Sequence, residues 1–194
     1  MKQVTINLFE FDELSEDAKK EAIELNRDIN IDDEYWHEPI IERATEMLHL
    51  YGFRDIVVNF SGVCSQGDGS SFAADLDLAE YIKWTKQEKK YQGLKKVISE
   101  DRLGIYIVRT DHRYSHEYTC QADWSNSGDE LTDRQGKLAE KLLEDVEATR
   151  CNLSLKIYRD LRNYYDEITT DEAIAETFRA NEYTFEASGK MHNA

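Results

Sequence analysis

Apolar and polar positions alternate along the chain with two different periods. Residues 2 to 9, KQVTINLF, put Val4, Ile6 and Leu8 on one side, the two-residue repeat of a strand. From residue 16 the period lengthens, and Ala18, Ala22, Leu25 and Ile29 recur at helical spacing. Ser15 ahead of them, with Glu16 and Asp17, is a helix start: a side-chain oxygen for a free amide, then carboxylates at the positive end. A helix is predicted over 16–29. After the polar NIDDEYWHE, Pro39 suits a first helical turn, Ile40, Ile41, Ala44, Met47, Leu48 and Tyr51 form a stripe, and Gly52 is placed to end it.

Two strand candidates follow, DIVVNFSG (55–62) and SFAADLDL (71–78). The second sets Phe72, Ala74, Leu76 and Leu78 against Asp75 and Asp77. Residues 79–100 read as helical with a weak pattern, interrupted at Gly93. LGIYIVRT and HEYTCQADW then form a hairpin joined by DHRYS. Over 136–168 a nearly continuous stripe runs through Leu138, Leu142, Val146, Thr149, Leu153, Ile157, Leu161, Tyr164 and Ile168, one long helix or two in line. Thr169 and Glu172 have capping-box spacing for a short helix to about Ala180, and EYTFEA supplies a last strand. The tail from about residue 188 is expected to fray. The elements sum to an α+β fold, an antiparallel sheet of about five to six strands packed with helices on one side. No linker-like shift in composition interrupts it, so 1–194 reads as a single domain.

Composition narrows the picture. Seven Phe, eleven Tyr and three Trp suffice for a core, while one proline and nine glycines argue against a many-turned sandwich. No apolar run approaches the roughly 20 residues of a membrane span, and the N-terminus lacks the apolar segment of a secretory signal. Cys64, Cys120 and Cys151 stand in no CxxC pair, which suggests reduced thiols in a cytoplasmic protein. Charge is the strongest signal. Forty acids against 24 bases leave −16, and residues 10–46 hold 14 acids and four bases, −10 by themselves. Phosphodiester binding needs cations, so direct nucleic-acid contact is disfavoured and a basic protein is the expected partner. Glu13, Asp17, Glu21, Glu24 and Asp28 follow a helical track, interrupted by Lys20 and Arg27, and Asp32, Asp33 and Glu34 extend it. These acids are either a solvated surface or a docking face that imitates the charge density of nucleic acid.

The stretch FSGVCSQGDGSS (60–71) raises a separate question. Gly62 and Gly67 have the spacing of a phosphate-binding loop, but Asp68 stands where that loop needs lysine, and a strand rather than a helix follows. The stretch is therefore a glycine-rich hairpin corner, with Gly67 or Gly69 at positive φ, or a polar pocket. In the second case Ser65, Gln66, Gly67, Asp68, Gly69, Ser70 and Ser71 would face a ligand or partner. DHRYSHEY has the residue types of a metal site, with His112, His116 and Glu117 as weak candidates beside Asp111 and Cys120, but a turn does not impose the convergence that a helix would. No nucleophile motif stands out, so neither catalytic residues nor a cofactor are expected.

Four stretches together, LFEFDELSEDAKKEAI (8–23), FSGVCSQGDGSSF (60–72), YSHEY (114–118) and TTDEAIAETFRANEYTFEASGK (169–190), resemble a family encoded by bacteriophages and prophages and loosely labelled antitoxin-like. That family often has an aromatic residue where Cys64 stands. The resemblance implies a phage or mobile-element accessory protein in the bacterial cytoplasm. The leading expectation is a non-enzymatic, stoichiometric inhibitor of a host defence, nuclease or toxin protein, acting through its acidic helices. A second is a ligand-binding or hydrolytic protein using the SQGDG loop with the 111–117 turn, which requires both at one end of the sheet. A third is a phage assembly factor. The oligomeric state is left open.

Overall fold

The computed structural model describes residues 6–63, 65–111, 113–126 and 131–192. Contacts gather in two compact units, one of residues 1–37 with 163–194 and one of residues 38–162. Among the described residues six α-helices and two antiparallel sheets make the fold α+β, and the six strands divide into a four-stranded and a two-stranded sheet.

The unit formed by the chain ends contains β1 (Phe9–Glu10), α1 (Glu16–Leu25), the last turns of α5 (Asp133–Ile168), α6 (Asp171–Ala180) and β6 (Thr184–Phe185). Of the strand predicted over 2–9, residues 2–5 lie outside the described residues, and pairing begins only at Phe9, opposite Phe185. Ser15 caps α1 by accepting the Ala18 amide at 3.3 Å. The helix ends four residues earlier than its pattern suggests. Asn26 leaves helical geometry, and its side-chain amide donates to the Ala22 carbonyl at 2.8 Å, taking up an acceptor that a continuing helix would use. Ala18, Ala22 and Ile23 are buried, whereas Leu25 is 58% exposed. They join Phe11, Leu14, Ile174, Ala175, Phe178 and Phe185 in one core, where the Phe178 and Phe185 rings meet edge to face at 5.0 Å. The cap of α6 is Thr170, whose hydroxyl accepts the Ala173 amide. Thr169, the residue expected there, still closes α5 by donating to the Tyr165 carbonyl.

The middle unit holds α2 (Glu38–Leu50), β2 (Phe53–Phe60), β3 (Ser70–Leu76), α3 (Leu78–Trp84), α4 (Lys95–Ser99), β4 (Gly104–Arg109), β5 (Cys120–Asn126) and most of α5. The weakly patterned stretch 79–100 is broken: α3 stops near Lys86, which takes a positive φ, and a tight turn over Gln92–Leu94 precedes α4. The strands run in the order β2-β3-β4-β5, all antiparallel. By register Phe72, Ala74, Ile105, Ile107 and Cys120 share a face, and all are buried. Val57, Asp75 and Gln121 lie on the other face and are exposed. The 36-residue α5 buries Leu142, Val146, Leu153, Ile157 and Leu161 as its stripe predicts, and it also buries Arg150 and Ser154. No helix among the described residues is long and apolar enough to cross a membrane.

Candidate functional site

Because β2 and β4 run the same way, the loop after β2 and the turn after β4 lie at one end of the sheet. They touch. The Ser61 hydroxyl donates to the Ser115 carbonyl at 3.3 Å, and a Cβ added to Gly69 would sit 2.6 Å from the Cβ of His116. Gly69 is therefore glycine because a neighbouring segment occupies the space of a side chain, while Gly67, at φ +93°, supplies the left-handed corner. Arg109 ties this end together: its guanidinium donates to the carbonyls of Asp111 and Tyr114, to Asn59 Oδ1 and to the Ser115 hydroxyl.

The seven loop residues expected to face a ligand divide into two sets. Ser65, Gln66 and Gly67 are exposed at the tip. Asp68 is half-buried and folded back, its carboxylate accepting the Ser65 amide at 2.6 Å and lying against Gly62. Gly69, Ser70 and Ser71 are buried: Ser70 donates to the Ser154 carbonyl at 2.7 Å, and Ser71 Oγ accepts from the Thr119 hydroxyl at 3.2 Å. With Gly67 at the corner, five of the seven thus serve the fold. On the turn, Tyr114 is 55% and Tyr118 75% exposed, and the Tyr118 ring packs on His116 at 5.9 Å. Of the metal candidates, His112 lies outside the described residues, as does Cys64. His116 accepts the Tyr118 amide through Nδ1, and Glu117 takes part through its carbonyl, 3.8 Å from Cys151 Sγ. No three His, Cys, Asp or Glu among the described residues gather to hold a metal ion.

Beneath the loop lies a polar group that the pattern did not announce. Arg150 is fully buried, with Nε 2.9 Å and Nη2 2.6 Å from the two oxygens of Glu147, and Nη1 has no hydrogen-bond partner among the described residues. Glu147 also accepts the Ala122 amide at 2.8 Å, pairing an outward N–H of the edge strand β5 with α5. Burial alone would raise the Glu147 carboxyl, but the Arg150 guanidinium and the Ala122 amide outweigh it and hold it below its ordinary value. The Cys120 thiol is pushed up by burial, the opposite of what a nucleophile needs.

All eight acids of the expected docking face, Glu13, Asp17, Glu21, Glu24, Asp28, Asp32, Asp33 and Glu34, are exposed and belong to one unit. Asp17, Glu21 and Glu24 follow a single stripe of α1 opposite its buried alanines. Arginine neutralises little of it: Arg27 bridges Glu24 and Asp171, and Arg179 binds Asp12 at 3.0 Å. Asp17, Glu21, Asp28, Asp32, Asp33 and Glu34 form no ion pair among the described residues. The C-terminal segment adds acids to the same unit, which carries 18 acids and six bases, −12 of the total −16.

Two cavities stand apart from these features. One of about 980 Å³ in the middle unit has an apolar floor that includes Leu78, Ile82, Ile98 and Leu103, and a rim of mixed sign with Lys89, Lys95, Glu88 and Asp101. It opens beside Leu76 and Gly104, the opposite end of the sheet from the SQGDG loop. Tyr91 in its wall is fixed by Asp145, 2.8 Å away, and burial raises that phenol far above its ordinary value. The other, about 400 Å³, lies in the acidic unit, against Trp36, Tyr164 and Glu176.

A family model described as a domain of unknown function, DUF8835, matches residues 36–171, well over half of the chain. The chain belongs to that family. No curated protein and no solved structure matches it. The part matched to the DUF8835 model holds the SQGDG loop, the 111–117 turn, Arg150 and the larger cavity, while the acids from Glu13 to Glu34 precede it. Sequence reasoning missed Arg150 and the Trp36–Tyr164 contact. Arg150 lay on the apolar stripe, four residues from Val146 and from Ser154, and that position was the available signal.

Proposed function

We propose that this protein is a phage or mobile-element accessory protein that acts without catalysis, by stoichiometric binding of its acidic surface to a basic host defence, nuclease or toxin protein. The observation that carries the reading is the concentration of −12 in one unit, with six exposed carboxylates from Asp17 to Glu34 free of ion pairs among the described residues. Asp17 complements the start of α1 and Asp33 accepts the Tyr35 amide at 2.9 Å, but a surplus of exposed charge of one sign repels itself and gains little for the fold. It raises a potential that speeds encounter with a positively charged partner and repels nucleic acid. The test is capture from a bacterial lysate at low and high salt, with a variant carrying Asp17→Asn, Glu21→Gln, Asp28→Asn, Asp32→Asn, Asp33→Asn and Glu34→Gln as the control. A basic protein retained by the wild type at low salt, and lost both at high salt and with the variant, supports the reading. Equal retention by the variant, or no retained protein, overturns it.

A second reading has its own support. The SQGDG loop and the 111–117 turn share one end of the sheet, and with the adjoining Tyr118 they expose Ser65, Gln66 and Tyr114 as well. Tyrosine with small polar residues on two adjoining loops is a composition suited to recognition. In this reading the ligand or partner meets the loop tip and the two tyrosines. Loss of binding in Tyr118→Ala, with the acidic variant unaffected, would favour this reading over the first.

A further inference from the structure

The smaller cavity belongs to the acidic unit and has an unusual combination of walls. Trp36 and Tyr164 stack, with ring centroids 6.3 Å apart and planes 23° from each other, and both line the cavity. Glu176 contributes a carboxylate with no ion pair or hydrogen bond among the described residues. Asn181 donates its amide nitrogen to the Thr177 carbonyl at 2.9 Å, which leaves its amide oxygen as an acceptor. Asn30 is held by Thr177 and the Ile168 carbonyl, so that side of the cavity is fixed. Among the described residues no lysine, arginine or histidine lines it. The larger cavity, by contrast, has cations and anions mixed on its rim.

We infer that this cavity receives an arginine side chain of the basic partner. A guanidinium is flat, stacks on indole and phenol faces, and presents a fork of donors matched to a carboxylate, whereas a lysine ammonium is a hydrated point charge. An exposed face of the aromatic pair supplies the first interaction, and Glu176 with the Asn181 oxygen supplies the second. Asp28, Asp32, Asp33 and Glu34, on the same turns of chain as Asn30 and Trp36, add a field that attracts cations to the opening. The inference rests on the acidic-surface reading and gives it a point of specificity: the carboxylates draw in any cation, and the cavity selects arginine.

The experiment uses the full chain with its three tryptophans labelled with ¹⁵N, titrated at low salt with an oligo-arginine and an oligo-lysine peptide. Oligo-arginine is expected to shift the Trp36 indole signal and to bind more tightly than oligo-lysine. Glu176→Gln and Trp36→Leu are each expected to weaken oligo-arginine binding ~3- to 30-fold and to weaken oligo-lysine binding clearly less. Glu176 is exposed, so its variant keeps the fold and the test stands even if Trp36→Leu does not fold. If oligo-arginine binds with the Trp36 signal unmoved and Glu176→Gln indistinguishable from wild type, the cavity assignment fails while the acidic surface stands. An equal Trp36 shift with oligo-lysine removes the selectivity for arginine. If neither peptide binds the wild type, the acidic-surface reading fails and this one falls with it.

Discussion

Replacing Glu147 with alanine tests the packing beneath the SQGDG loop. The substitution removes both carboxylate acceptors of Arg150, at 2.9 and 2.6 Å, leaving it the Cys151 sulfur at 3.4 Å, and removes the acceptor of the Ala122 amide, at 2.8 Å. It leaves a fully buried guanidinium, whose Nη1 already lacks a partner among the described residues, with no counter-charge among them. Removing one member of a buried pair costs about 3–5 kcal/mol. Glu147 is 40% exposed, and water can partly replace it, so we expect a loss of about 2–4 kcal/mol. For a unit of this size that lowers the melting temperature by roughly 10 °C. Urea unfolding followed by the fluorescence of Trp84 and Trp124, both in the middle unit, reads the loss. The double variant Arg150→Met with Glu147→Leu removes the charge together with its partner. It should recover most of the stability, short of about 1 kcal/mol for the Ala122 amide left without an acceptor. The reasoning is refuted if Glu147→Ala costs less than about 1 kcal/mol, or if the double variant is no more stable than the single.

The same pair sets a pH dependence. Glu147 holds its proton less tightly when folded than when unfolded, so its contribution is complete above the ordinary glutamate range, roughly pH 4, and is lost as pH falls toward the lower folded value. Urea midpoints measured down through that range should fall less steeply for Glu147→Ala than for wild type. At the loop, Gly69→Ala should cost about 1–3 kcal/mol because its methyl group would meet His116, and Gly67→Ala, with open space around it, only about 1 kcal/mol of backbone strain; equal urea midpoints for the two would contradict the observed docking. Cys120 should react with a thiol reagent only on unfolding, and rapid labelling of the native protein at that residue would contradict its burial. Tyr91→Phe should leave the ultraviolet phenolate titration of the folded protein unchanged through pH 11, since burial keeps that phenol protonated.

Local signals were legible wherever one period and its cap decided the outcome. Ser15 starts α1, the stripe from Ile40 to Leu48 packs as a helix, and the hairpin of β4 and β5 forms where alternating runs flank a turn. Elements decided by distant partners were not legible. Phe9 pairs with Phe185 from the far end of the chain, so the strands divide into two sheets for a reason no local window contains. Leu25 looked like a core residue by its spacing, but it is the last residue of α1 and stays in solvent. Ser70 and Ser71 read as ligand groups because serines in glycine-rich loops usually face water, yet α5 and Thr119 supply partners that bury them. Arg150 was passed over because a charge on an apolar stripe is normally a helix edge, and only Glu147, one turn earlier, makes its burial tolerable. The acidic face was legible in its first segment. Its continuation through Asp171, Glu172 and Glu176 depended on the fold bringing the C-terminal helix into the same unit.

The most direct test of the account is the salt dependence of binding between the full chain and the basic protein captured from lysate, measured for wild type and for the variant neutralised at Asp17, Glu21, Asp28, Asp32, Asp33 and Glu34. We predict that the logarithm of the wild-type association constant falls steeply and linearly with the logarithm of salt concentration, and that the variant binds weakly with a much flatter slope. The same affinity and the same slope for both proteins would show that these carboxylates meet nothing, and would contradict the account.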